Sequence, residues 1–146
     1  MDIKIKKLNE NAVIPKYAKE GDAGLDLTAT SYEYDELKDN HIYGTGLAIE
    51  IPKGYVGLIF PRSSNRKTNS YLTNHVGVID SGYRGEIILT FKDRDSKTLL
   101  LPYSPYQVGD RIGQLIILPY PQINLVESEE LSDTERGTGG HGSTGN

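Results

Sequence analysis

The chain has 146 residues, and its 16 Lys and Arg against 20 Asp and Glu give a formal net charge of -4. This length fits one folded domain, and the acidic balance excludes a broadly basic surface, so we expect no nucleic-acid or membrane partner. The absence of cysteine excludes disulfide scaffolds, thiol catalysis and Cys-ligated metal centres. The N-terminal residues lack the apolar core of a signal peptide and no stretch is long enough to span a membrane, so we expect a soluble, intracellular protein, cytoplasmic by default.

Short apolar or alternating runs recur between glycine, proline and asparagine residues, which is typical of strands. The predicted strands, in chain order, are 3–7, 25–28, 42–51, 55–60, 85–92, 98–101, 111–118 and 123–127. No longer window keeps a helical apolar stripe, so we expect at most one short helix, near 65–73. Many short strands in one domain predict an all-β antiparallel sandwich or small barrel.

The character of the sequence changes after Leu131, which predicts a folded domain over 1–131 and a flexible arm over 132–146. The arm contains Arg136-Gly-Thr-Gly-Gly-His-Gly-Ser-Thr-Gly, with literal matches to the dinucleotide and Walker A glycine motifs. Both assignments fail, because each motif requires a helix after its glycines and the Walker A motif also requires a Lys, and the sequence encodes neither. Two interpretations remain: a solvated terminus, or an arm whose backbone N–H groups, hydroxyls and Arg136 close on an anion.

Four further segments combine turn-forming residues with reactive side chains. The run 77–87 predicts two strands joined by a Ser-Gly turn, with Asp80 as a turn former or general base and Tyr83 beside it. Asp22 and Asp26 flank a glycine. They are either ordinary surface carboxylates or ligands for Mg²⁺, which prefers hard oxygen atoms. The segments 61–64 and 109–114 suit phosphate binding or ordinary turns. The three histidines lack metal-ligand spacing, so a zinc site is not expected.

Taken in order, five segments resemble the five ordered motifs of the trimeric dUTP pyrophosphatases, the dUTPase family. They are DAGLDL from Asp22, PRSS from Pro61, GVIDSGYRGEI from Gly77, GDRIGQL from Gly109 and RGTGGHGSTG from Arg136. The resemblance covers nearly the whole chain. It implies a jelly-roll-like β-barrel that forms a homotrimer, with active sites shared by the three subunits and closed by the C-terminal arm.

The resemblance also implies hydrolysis of dUTP to dUMP and pyrophosphate with Mg²⁺. Asp80 would deprotonate the water that attacks the α-phosphorus, and Tyr83 would lie against the deoxyribose and exclude a 2′-hydroxyl. Asp26 would approach the water shell of the magnesium ion. The remaining implied substrate-binding residues are Asn74, Gly77, Val78 and Ile79 for uracil, Arg62, Ser63, Ser64, Gln114 and Arg136 for phosphate, His141 over the uracil ring where the family commonly has Phe, and the neighbouring Gly142, Ser143 and Thr144.

Two alternative functions remain open. A dCTP deaminase-like enzyme would share the barrel and the trimer, but the Tyr83 turn and the complete glycine-rich arm favour the pyrophosphatase. A regulatory binding protein that uses the nucleotide as a switch would need a partner-binding insertion, and the sequence has no long inserted segment. Such a regulatory role is compatible with catalysis.

Overall fold

A computed structural model of the chain describes residues 1–94 and 104–140. The described residues form strands, one short 3₁₀-helix and connecting turns, without an α-helix. The strands are β1 (Lys4–Lys7), β2 (Leu25–Thr28), β3 (Ser31–Asp35), β4 (Asn40–Gly44), β5 (Leu47–Glu50), β6 (Tyr55–Phe60), β7 (Ser70–Leu72), β8 (Gly77–Ile79), β9 (Ile88–Asp93) and β10 (Arg111–Pro119). The 3₁₀-helix Ser63–Lys67 follows β6. The all-β prediction is confirmed.

The strands pair antiparallel in three sheets. One four-stranded sheet has the order β2-β10-β6-β8, the other has the order β3-β4-β9-β7, and β1 pairs with β5. A shared apolar core packs between them and includes Leu27, Tyr43, Ile59, Phe91 and Leu115, all nearly inaccessible to solvent. Burial of these side chains is the main favourable term in folding, since apolar area leaves water.

Sharp changes of direction carry the chain from one sheet to another and close the barrel. Ala29 bonds to Asp110 through its N–H, whereas the next residue, Thr30, bonds to Gly44 in the other sheet. The β4–β5 connection turns at Gly46, whose φ of 65° is in the left-handed region that favours glycine. At these corners the chain passes from one sheet to another.

Five predicted strands are confirmed to within a few residues, namely 3–7, 25–28, 55–60, 85–92 and 111–118. The run 42–51 is two strands rather than one, because the turn at Gly46 divides it. The strand at 123–127 is wrong: the segment is exposed and unpaired within the described part of the chain. The expected helix near 65–73 is only the 3₁₀-helix, and β7 occupies the rest. The prediction for 98–101 lies outside the described residues.

The predicted pair of strands over 77–87 is also wrong in one respect. β8 pairs with β6, whereas β9 begins only at Ile88 and pairs with β4 and β7 in the other sheet. The turn after β8 therefore joins two sheets instead of closing a hairpin. Within the described residues, no helix is long and apolar enough to cross a membrane.

Candidate active site

A charged cluster lies where β2, β10 and the end of β6 meet. Asp26 on β2 lies opposite Gln114 on β10, in the register that pairs the two strands. Arg62, two residues after β6, donates from Nε to Asp26 Oδ1 at 2.7 Å and from Nη2 to Oδ2 at 3.4 Å. Arg111 donates from Nη1 to the same Oδ2 at 3.0 Å. One carboxylate thus holds two guanidinium groups through charge-assisted hydrogen bonds.

Gln114 connects this cluster to the segment after β6. Its Nε2 donates to the carbonyl of Pro61 at 3.2 Å. A Cβ placed on Gly24 would overlap Gln114 Oε1, so the glycine leaves the space that this amide occupies. On the other side of the segment, Arg62 Nη1 donates to Ser64 Oγ at 3.2 Å. The structure therefore brings together Arg62, Ser64, Gln114 and Asp26, to which the resemblance assigns contacts with phosphate and magnesium.

Asp26, Arg62 and Gln114 line an open cleft of about 390 Å³, which also contains Asp22, Gly24, Ser63 and Arg111. The sequence reasoning missed Arg111, although it lies inside the GDRIGQL segment that the motif comparison singled out. Two guanidinium groups, a side-chain amide and the hydroxyl of Ser63 in one cleft form a suitable surface for phosphate groups.

The oxygen atoms of Asp26 determine how a magnesium ion fits here. Oδ1 accepts a hydrogen bond from Arg62 and Oδ2 accepts two, from Arg62 and Arg111. A carboxylate oxygen offers two lone pairs, so Oδ1 retains one for a water molecule. Mg²⁺ usually keeps several of its waters, so the residues fit an ion held by Asp26 through water. Among the described residues, no group of three or more His, Asp or Glu side chains could hold a metal ion.

A second group of predicted residues lies on the turn between β8 and β9. Asp80 is exposed, and its carbonyl accepts a hydrogen bond from the N–H of Tyr83 at 3.0 Å. The Tyr83 hydroxyl donates to the carbonyl of Glu86 at 2.9 Å, while 43% of this residue's surface stays exposed. Arg84 Nη1 donates to the carbonyls of Ser81 and Tyr83 at 2.7 and 2.8 Å. These bonds hold the tyrosine ring beside the carboxylate-bearing turn.

Glu86 holds the far end of this turn, and it was not among the residues predicted from the sequence. Its Oε1 accepts a hydrogen bond from the N–H of Gly46 at 2.7 Å, in the corner between β4 and β5. A Cβ at Gly85 would overlap the Tyr83 hydroxyl, so this glycine makes room for the ring. A cleft of about 260 Å³ opens between Asp80, Tyr83, Glu86, Val78, Ile79 and Ile88.

β8 supplies backbone groups to the same region. It is the edge strand of its sheet, and within the described residues β6 is its one strand partner. An edge strand presents unpaired N–H and C=O groups on its outer side. Asn74 precedes β8, and its Nδ2 would lie 3.3 Å from a Cβ at Gly77. Asn74, Gly77, Val78 and Ile79 therefore lie along one edge that leads to Asp80.

The two groups of residues lie at opposite ends of β6 within one chain. The register pairs Gly57 with Ile79, so Asp80 lies opposite Val56 at the start of β6. Arg62 follows the other end of that strand. Six residues at about 3.3 Å per residue place the two positions about 20 Å apart along the strand direction. A single subunit therefore does not bring Asp80 together with Arg62.

The C-terminal arm is described as far as residue 140. Arg136 Nε donates to the carbonyl of Gly139 at 3.1 Å, and Gly137 donates to the carbonyl and hydroxyl of Thr134. In this part of the chain, the hydrogen bonds of Arg136 are thus made within the arm and to neither residue cluster. His141, Gly142, Ser143 and Thr144 lie outside the described residues.

Comparisons with known proteins agree with the sequence motifs. A family model described as dUTPase matches residues 10–145. The deoxyuridine 5'-triphosphate nucleotidohydrolase of Nautilia profundicola is 43% identical over 150 residues, covering 99% of this chain and 99% of that protein. The protein of the same name from Nocardia farcinica is 39% identical over 144 residues, covering 98% and 85% of the two chains.

Solved structures show the same relationship. The dUTPase of Staphylococcus bacteriophage 80alpha, solved with dUPNHPP, is 30% identical with a TM-score of 0.82 and 99% coverage of both chains. A mutant of the dUTPase from phage phi11 of S. aureus is 28% identical with a TM-score of 0.73, covering 89% of this chain and 98% of that one. That phi11 structure is described as revealing the coordination of a structural Mg(II) ion. By fold, motifs and sequence identity, this chain belongs to the dUTPase family.

Proposed function

We propose that the chain hydrolyses dUTP to dUMP and pyrophosphate, with Asp80 as the general base. The observation that supports this most is the turn after β8, which presents an exposed carboxylate beside the tyrosine ring that Glu86 and Arg84 hold in place. A general base must reach the water that it deprotonates, and an exposed carboxylate in a small cleft meets that requirement. Membership of the dUTPase family supplies the substrate class.

In the proposed reaction, an Asp80 carboxylate oxygen takes a proton from a water molecule. The water oxygen forms a bond to the α-phosphorus while the bond from that phosphorus to the α,β-bridging oxygen breaks, releasing pyrophosphate. The Tyr83 ring packs against the deoxyribose and leaves no space for a 2′-hydroxyl. The free backbone edge of β8, together with Asn74, forms hydrogen bonds with uracil. Cytosine presents a donor where uracil presents an acceptor, so its binding would leave polar groups buried without a partner, and it is rejected.

The triphosphate lies in the cleft lined by Arg62, Ser63 and Gln114, with Ser64 held beside it by its hydrogen bond to Arg62. Their guanidinium, hydroxyl and amide groups donate to phosphate oxygens and stabilise the charge that develops in the transition state. Mg²⁺, held through water near Asp26 and by the phosphates, offsets part of the negative charge when bound.

The active site is completed in a homotrimer. Because Asp80 and Arg62 lie about 20 Å apart in one chain, a second copy is required to supply the cleft that faces a given Asp80. The arm of residues 132–146 then closes over the nucleotide, with Arg136 on phosphate, His141 over the uracil ring, and Gly142, Ser143 and Thr144 donating to the substrate. Arm closure excludes competing water.

The experiment that tests this proposal measures pyrophosphate release from dUTP, dCTP, dTTP and UTP at equal concentrations, with and without EDTA. We expect turnover of dUTP well above the other three and its loss with the chelator. Ammonia release from dCTP would assign the chain to the deaminase alternative, and equal turnover of all four nucleotides would contradict uracil and sugar recognition. The regulatory alternative stays a prediction, since no observation on this chain favours it over catalysis.

A further inference from the structure

The side chain of Asn65, directly after the Arg62–Ser64 segment, is held on both sides of its amide. Its Nδ2 donates to the carbonyl of Ser70 at 3.0 Å. Its Oδ1 accepts hydrogen bonds from the Tyr106 hydroxyl at 2.8 Å and the Thr68 hydroxyl at 3.3 Å. An amide satisfied on both its donor and its acceptor side has one defined orientation.

Tyr106 is a rigid partner for this amide because it lies in the aromatic core. It is 7% exposed, and its ring packs against Tyr43 and Phe91 at centroid distances of 6.0 and 5.2 Å. Its main-chain N–H and C=O both bond to the Tyr43 hydroxyl, at 3.1 and 2.9 Å. Burial raises the pKa of Tyr106 above its ordinary value, while the nearby Arg62 charge acts in the opposite direction.

The bond between Tyr106 and Asn65 joins the two segments that contribute to the phosphate cleft. Asn65 belongs to the 3₁₀-helix that also contains Ser63 and Ser64. Tyr106 precedes the turn at Gly109, after which β10 carries Gln114 into the cleft. The residue that precedes the 3₁₀-helix, Arg62, makes no side-chain capping hydrogen bond to it. The amide of Asn65, in the middle of the helix, instead ties the helix to Ser70 and Tyr106.

We propose that Tyr106 and Asn65 are positioning residues that set the Arg62–Ser64 segment against Gln114 for binding of the substrate triphosphate. This inference rests on the proposed function, because it concerns the phosphate cleft of the same site. Neither residue touches the substrate. The Tyr106 hydroxyl acts through Asn65, and Asn65 acts through the backbone that continues into Ser64.

The test removes only the hydroxyl, through Tyr106→Phe, which keeps the ring in the core. Loss of one positioning hydrogen bond predicts a KM for dUTP about threefold to tenfold higher, with kcat within about twofold of the wild type. Deoxyuridine has no phosphate, so its inhibition constant should not change. The matched control is Tyr34→Phe, which removes a similar hydroxyl bond, to Asp39 Oδ1 at 2.7 Å in the β3–β4 hairpin, and should leave KM unchanged.

A double-mutant cycle tests whether the two residues act as a pair. Because both variants break the same hydrogen bond, Tyr106→Phe combined with Asn65→Ala should raise KM by less than the product of the separate effects. Independent effects, an unchanged KM in Tyr106→Phe, or equal losses for dUTP and deoxyuridine would overturn the positioning role. Wild-type turnover of dUTP is measured in the same series, so failure of the proposed function would appear in the wild type rather than in the variants.

Discussion

Asp80 has an exposed carboxylate on a turn whose backbone is held by Tyr83 and Arg84. Its side chain contributes little to the barrel, so Asp80→Asn should leave the fold intact. We expect affinity for a non-hydrolysable dUTP analogue to stay near the wild-type value, while turnover falls about a hundredfold or more through loss of general-base catalysis. Calorimetric binding and pyrophosphate release on the same preparation check this. Turnover near that of the wild type would remove Asp80 from the mechanism.

Tyr83 combines a fixed hydroxyl with an exposed ring face. If the ring excludes a 2′-hydroxyl, Tyr83→Ala should reduce the ratio of kcat/KM for dUTP to kcat/KM for UTP by about tenfold or more. The alanine variant loses both the steric rejection of the 2′-hydroxyl and the apolar contact with the deoxyribose. Tyr83→Phe is the matched control, because it keeps the ring and removes only the bond to Glu86. A ratio that is unchanged in the alanine variant would contradict the role in sugar discrimination.

At the scale of strands, the sequence predicted those elements whose residues alternate between core and solvent. β6 and β10 have such patterns and pair with each other. β3 was missed although Tyr32 and Tyr34 alternate with polar residues and pack on His41 and Tyr43. Two tyrosines in a mostly exposed segment are too short a pattern to indicate a strand. β7 was missed because a strand of three residues is too short to show an alternating pattern. Its first residue, Ser70, is buried but polar, and its hydroxyl donates a hydrogen bond to Asp93.

The candidate site was predictable where residues adjacent in sequence act together. The motifs located Asp80, Tyr83 and the Arg62–Ser64 segment, and the structure then paired Asp26 with Arg62. Sequence spacing could not reveal Glu86 as the support of the Tyr83 turn, because its partner Gly46 lies 40 residues away in a corner between sheets. Long-range pairing of this kind depends on the closed barrel and has no local sequence signal.

The arm is the element whose role depends on a ligand. A glycine-rich segment has a high conformational entropy, so we expect residues 137–146 to be mobile in the free protein and ordered over bound nucleotide. Truncation before Arg136 should leave the melting temperature nearly unchanged and reduce turnover of dUTP about a hundredfold, because phosphate charge compensation and water exclusion are lost. Full turnover in the truncated protein would make the arm a solvated terminus.

Two substitutions in the arm provide its internal control. His141→Phe keeps an aromatic ring and should retain or improve activity. His141→Ala removes the ring and should weaken binding of a non-hydrolysable dUTP analogue by about 1 to 3 kcal/mol, the usual scale of base stacking on aromatic side chains. Unchanged affinity in the alanine variant would exclude stacking by this residue.

For the whole molecule, the proposed trimer accounts for two features of the single chain. The first is the separation of Asp80 and Arg62 at opposite ends of β6. The second is the exposed segment after β10, in which the large apolar side chains are 70% to 89% exposed: Ile123, Leu125, Val126 and Leu131. Apolar side chains concentrated in one exposed segment are typical of surfaces covered by another protein chain. Both features are explained if each subunit contacts its neighbours around a threefold axis.

We propose that Asp80 of one subunit acts on a nucleotide whose phosphates are bound by Arg62 of another. Subunit complementation tests it most directly. Arg62→Ala and Asp80→Asn chains carrying different affinity tags are refolded together in equal amounts, and mixed trimers are verified by sequential capture on both tags. Each variant refolded alone is the control, and each should be nearly inactive.

With random mixing, about a quarter of the sites in the mixture combine an intact Asp80 from one chain with an intact Arg62 from its neighbour. Pyrophosphate release from dUTP should therefore rise to about a quarter of the wild-type rate, because those sites are complete. Mixed trimers that remain as inactive as the two separate variants would contradict it, since both residues would then have to act within one subunit.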